Sequence, residues 1–105
     1  MVTIKEAAEY IGIDYLDDGM TSANLQRALD SALYRLYGSV GREVESYLSG
    51  DPRTDQLVLI YTEEAYDNHP GSVKQDAAKN HLRDTLELQL RLELGRLIEG
   101  GNTNV

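Results

Sequence analysis

Leucine recurs at every second position from Leu86 to Leu94, with Glu87, Gln89, Arg91 and Glu93 between, and Leu97 follows. On a helix this spacing sets Leu82, Leu86, Leu90, Leu94 and Leu97 on one side and Leu88 and Leu92 on another. Strict alternation over residues 85–94 also fits a strand. Leu, Glu, Gln and Arg are good helix formers, however, and Thr85 is the only β-branched residue in the stretch. Helix is therefore the reading. A strand here would be a sheet edge seeking another chain. Either way one apolar stripe exceeds what a single small domain needs, and the excess asks for a partner.

The rest of the chain reads as helices separated by breakers. Thr3 with Glu6 forms a capping-box signature, Ile4, Ala7, Ala8 and Ile11 follow at helical spacing, and Gly12 stops the element. Residues 14–20 read as an acidic loop. Thr21 or Ser22 caps a longer helix whose apolar face is Leu25, Ala28, Leu29, Ala32, Leu33 and Leu36, continued by Val40, Val44 and Leu48. Gly38 and Gly41 interrupt that face at up to about 1 kcal/mol each. The expectation is one helix bent near them and ended by Gly50. Asp51 and Pro52 set an N-cap and first turn for a third helix that turns Leu57, Ile60, Tyr61 and Ala65 inward, with Val58 and Leu59 widening the stripe. Residues 68–71 form a breaker cluster, and Ser72 with Gln75 opens a fourth helix running to about Ile98. The expected fold is all-α: a small bundle of about four helices, with long second and last helices. It occupies residues 1–99 as one domain, with a flexible tail over 100–105.

Composition narrows the class. A chain of 105 residues removes roughly two-thirds of its unfolded surface from water on folding, enough for a core without staples. No cysteine is present, which excludes disulfides and thiolate metal sites. No run approaches the eighteen or so apolar residues of a membrane span, and the N-terminus lacks signal-peptide character, so a soluble cytoplasmic protein is expected. The net charge is −8, from eighteen acids against ten bases. DNA binding driven by Lys and Arg on phosphates is thereby disfavoured. The acidity is uneven: residues 51–71 carry five acids and one base, whereas residues 72–105 are balanced. All seven aromatics are tyrosine, a side chain suited to half-buried and interface positions and equally to a core edge.

Candidate chemistry is sparse. His69 and His81 lie in different elements without ligand spacing around either, so a turn residue and a helix-surface residue are the expectation. Asp14, Asp17, Asp18 and Gly19 lack calcium-loop spacing and the distal bidentate Glu. Glu63, Glu64 and Asp67 have no nucleophile pattern or phosphate cradle beside them. No enzyme, cofactor or metal is expected. Two non-enzymatic classes remain: a structural subunit that assembles, and a small acidic module that sequesters a basic partner or mimics DNA. Leucine density and balanced charge in the last helix count against a pure charge mimic.

A family pattern emerges from the order of these elements. A short helix, then Ile11, Gly12, Ile13 and Asp14, an acidic loop through Asp18, and a long helix closing on Tyr47, Leu48, Ser49 and Gly50 resembles the phage head–tail connector proteins. These are also described as DNA-packaging or head-completion adaptors. The Leu-rich third helix from Gln56 to Tyr66 looks like the corresponding family helix. Gln89, Leu90 and Arg91 resemble the Gln-Leu-Arg signature of one branch, although the signature continues with Gly and here Leu92 intervenes, with Gly delayed to 95. Gly38 and Gly41 also depart from a helix that tends to be Ala-rich. The resemblance spans residues 3–97.

It implies a helical virion protein at the head–tail interface, present in the host cytoplasm during assembly. Copies would form a homo-oligomeric ring below the portal protein, twelvefold to match it, extending the DNA channel. The ring would seat a stopper or tail-completion protein, let DNA pass without specific binding, and involve no membrane. On this reading Tyr34, Tyr37, Leu88, Arg91 and Leu92 supply subunit contacts. Asp17, Asp18, Glu63, Glu64 and Asp67 supply an acidic channel wall that repels DNA within about a Debye length, ~8 Å.

Overall fold

The computed structural model describes residues 1–13, 19–66 and 77–102. They form five helices: α1 (Ile4–Ile11), α2 (Gly19–Ser39), α3 (Val44–Tyr47), α4 (Pro52–Tyr66) and α5 (Ala77–Asn102). The protein is all-α, and residues 85–94 are helical throughout. Of the expected acidic loop over 14–20, residues 14–18 lie outside the described residues, as do the breaker cluster over 68–71 and the Ser72–Gln75 cap, whereas Gly19 and Met20 are helical and belong to α2.

Local sequence signals account for most of the element ends. The Thr3 hydroxyl accepts the Glu6 backbone N–H at 3.2 Å, while the Glu6 carboxylate accepts the Thr3 N–H at 3.1 Å, so the capping box forms in both directions. Gly12 takes a left-handed φ of 90° and donates its N–H to the Ala8 carbonyl at 2.9 Å, closing α1. The Asp51 carboxylate accepts the Arg53 backbone N–H at 2.9 Å and caps α4 with Pro52 in its first turn.

Three boundaries differ from the sequence reading. The second helix is already formed at Gly19, so Thr21 and Ser22 lie inside it instead of capping it. It ends at Ser39, and the continuous helix expected through Leu48 is broken into α2 and the single turn α3. The break is tertiary in origin. Gly41 has φ 140°, and a Cβ built on it would stand 2.8 Å from Leu94 Cδ2 of α5. The backbone thus turns in a conformation glycine tolerates best, where the α5 side chain fills the space beside it. Gly38 stays helical. At the other end, α5 continues past Ile98 through Gly100 to Asn102. Glycine costs a helix about 1 kcal/mol each without blocking it, and no proline stops the run.

α4 lies at the centre and packs against α1, α2 and α5. The main core joins Leu29, Ala32 and Leu36 of α2 and Val44 of α3 with Leu57, Val58, Ile60 and Tyr61 of α4 and Leu86, Leu90 and Leu94 of α5. A smaller cluster of Ala7, Ala8 and Leu25 seats α1, with Leu59 and Tyr66 against it. Helix α4 also buries Thr54 and Thr62; the Thr62 hydroxyl is satisfied by donating to the Val58 carbonyl at 2.7 Å. No helix among the described residues is long and apolar enough to cross a membrane.

Candidate interaction surface

Docking α5 through Leu86, Leu90 and Leu94 decides what its other side does. Leu90 is fully buried, whereas Leu88 and Leu92 are 53 % and 65 % exposed. Leu82, which the spacing groups with the buried stripe, is also exposed, because the core ends one turn below it at Leu86. The side of α5 opposite the core therefore carries two large apolar side chains, Leu88 and Leu92, in water. On α2, Tyr34 lies opposite the Leu29–Ala32–Leu36 stripe and is 81 % exposed.

Two of the expected contact residues are engaged within the fold. Arg91 donates from Nε to the Ser39 carbonyl at 3.1 Å. Ser39 is the last residue of α2, so this cation meets a helix C-terminus whose carbonyls lack helical partners. Tyr37 packs against the main core and donates its hydroxyl to Glu45 at 3.2 Å, an arrangement in which burial, then the Glu45 hydrogen bond, raise its pKa. Leu88, Leu92 and Tyr34 are left facing solvent.

The expected channel acids divide similarly. Asp17, Asp18 and Asp67 lie outside the described residues. Glu63 pairs with Lys79 of α5. Glu64 is held between two guanidiniums, Arg35 Nη1 of α2 at 2.8 Å and Arg83 Nη1 of α5 at 2.6 Å. Arg35 also lies 4.1 Å above the Tyr61 ring, a cation–π contact. Glu64, Arg35, Arg83 and Tyr61 line a cavity of about 330 Å³ between α2, α4 and α5, with Ser31, Ala32 and Ala65 completing it. Its one carboxylate is already neutralised twice, which suits a clamp between helices better than proton transfer.

Beneath that clamp, Tyr61 donates its hydroxyl to Glu87 Oε1 at 2.5 Å and lies 2.8 Å from the Ser39 hydroxyl. Burial first, and the Glu87 bond second, push the phenol pKa up, so Tyr61 stays protonated and joins α2, α4 and α5 by one polar atom. Among the described residues no group of three or more His, Asp, Glu or Cys is placed to hold a metal ion. His81 sits exposed on the outer side of α5.

Sequence reasoning had no access to the Glu64 clamp or the Arg91 cap, since their partners lie 19 to 52 residues away. The apolar surplus on α5 was visible because it rests on local spacing. No protein-family model, no curated protein and no solved structure matches the chain.

Proposed function

We propose that this chain is a structural virion subunit, a head–tail connector whose copies assemble as a ring below a phage portal and extend its DNA channel. One observation carries the assembly step: α5 is already docked on the core through one leucine stripe, yet presents Leu88 and Leu92 to water. Exposing such residues side by side is costly for an isolated molecule and useful for one that packs on a neighbour. In a ring the contact is heterologous, α5 of one subunit meeting a different surface of the next. The portal as platform, the twelvefold match and the stopper or tail protein below come from the family resemblance.

Net charge −8 suits a wall that lets DNA slide without holding it. Because Glu63 and Glu64 are ion-paired, they contribute less to that wall than unpaired acids would. The same pairing weighs against the acidic-module alternative, since it removes two of the five acids in the most acidic stretch from free display.

The test is particle mass by light scattering, for the chain alone and mixed with a portal protein from the same phage genome. A ring, or a defined multimer added to the portal, is the expected result. A monomer that ignores the portal rejects the proposal.

A further inference from the structure

The outer side of α5 carries more order than two exposed leucines. His81, Thr85, Leu88, Leu92, Gly95 and Glu99 follow one another at steps of four and three residues, the spacing of a coiled-coil seam. All are exposed except the half-buried Thr85. Gly95 is the telling member. It sits inside a 26-residue helix, where glycine costs about 1 kcal/mol relative to alanine. A Cβ built on it would meet nothing within 4 Å, so no contact among the described residues asks for glycine there. A residue that weakens its helix without an internal reason fits a place where something outside comes close.

The seam also reads as its own complement when reversed. Placed antiparallel about a two-fold axis at residue 90, Leu88 faces Leu92 of the other copy, and Thr85 faces Gly95, a branched side chain over a bare backbone. His81 faces Glu99, an imidazole N–H donor opposite a carboxylate. Each match occurs twice, as a two-fold interface requires. The parallel alternative stacks Gly95 on Gly95, Glu99 on Glu99 and, at the flanks, Arg91 against Arg96. In the antiparallel pair the two Arg91 side chains flank the axis, but each is drawn back toward Ser39 of its own α2.

We infer that the free protein pairs with a second copy of itself through antiparallel α5 helices, an isologous dimer that covers Leu88 and Leu92 before ring assembly. This rests on the reading of the α5 surface as a contact between copies and adds a regulatory state to it. The same leucines cannot serve the dimer and the ring at once, so the dimer must open before a subunit joins the ring. The seam from His81 to Glu99 is only about 27 Å long. One helix pair of that length falls at the small end of stable interfaces, which suits a contact that must be released.

The absence of cysteine permits a direct test by cross-linking. Full-length chains carrying Thr85→Cys or Gly95→Cys are oxidised separately and as an equimolar mixture, alongside sedimentation of the native chain over a range of concentrations. The inference expects a concentration-dependent dimer and at least fivefold more disulfide-linked product in the mixture than in either variant alone. It also expects Leu92→Glu to raise the dimer dissociation constant at least tenfold. Cross-links only within the single variants indicate parallel pairing and overturn the inference, as does a monomer at every concentration without cross-links. If pairing fails while Leu92→Glu still abolishes addition to the portal, the dimer is rejected and the connector reading stands. If Leu92→Glu changes neither, both fall.

Discussion

Truncating Leu90 and truncating Leu92 should have opposite consequences, although the two residues are neighbours in the alternating run. Leu90 is fully buried among the leucines of α2, α4 and α5. Leu90→Ala removes its transfer free energy and leaves a cavity, about 3–4 kcal/mol by analogy with other buried leucines. Leu92 has about a third of its surface hidden. A fully buried leucine is worth about 1.5–3 kcal/mol, so Leu92→Ala forfeits at most about 1 kcal/mol. The better helix propensity of alanine returns a few tenths. The assay is urea unfolding followed by circular dichroism at high dilution, so that self-association does not add to stability. Leu90→Ala should lower the midpoint by about 2 M, given a slope of roughly 1–3 kcal/mol per M for a chain of this size. Leu92→Ala should move it by less than about 0.5 M. Assembly should reverse the ranking, with Leu92→Ala impairing association and residual folded Leu90→Ala retaining it. Equal destabilisation by both variants would refute the two-faced account of α5.

Three further expectations follow from particular residues. Gly41→Ala should destabilise the protein by more than about 1 kcal/mol in thermal melts, because the added methyl meets Leu94 and φ is 140°. Gly95→Ala should do the reverse, stabilising the monomer by about 0.5–1 kcal/mol while weakening the dimer in sedimentation, since its side chain has room within the chain. Asp51 has its pKa held down chiefly by the Arg53 side chain. A carboxyl depressed in the folded state contributes stability above its unfolded pKa and loses it as pH falls through the folded value. Stability should therefore drop below the ordinary carboxylate range, and Asp51→Asn should flatten part of that drop in unfolding curves taken from neutral to acid pH.

The sequence was most legible where a few adjacent residues decide the outcome. Thr3 with Glu6, Gly12, and Asp51 before Pro52 each carry their physics within one helical turn, and each behaves as that physics requires. The alternating leucines likewise sort by helical angle into a buried and an exposed set. Legibility ended where distant residues decide. Gly38 and Gly41 look alike in sequence, yet only Gly41 turns the chain, because Leu94 approaches it from α5. Glu63 and Glu64 read as part of an acidic channel wall until Lys79, Arg35 and Arg83 arrive from two other helices. Arg91 is expected at a contact between subunits, yet its place at the end of α2 depends on a carbonyl 52 residues earlier.

The central claim is that the outer surface of α5 exists for assembly. Its most direct test is the mass added to purified portal by the native chain and by a Leu88→Glu, Leu92→Glu variant shown by circular dichroism to remain folded. The account predicts that the native chain adds a fixed number of subunits and the folded variant adds none. Equal addition by both, or addition by neither, would contradict it.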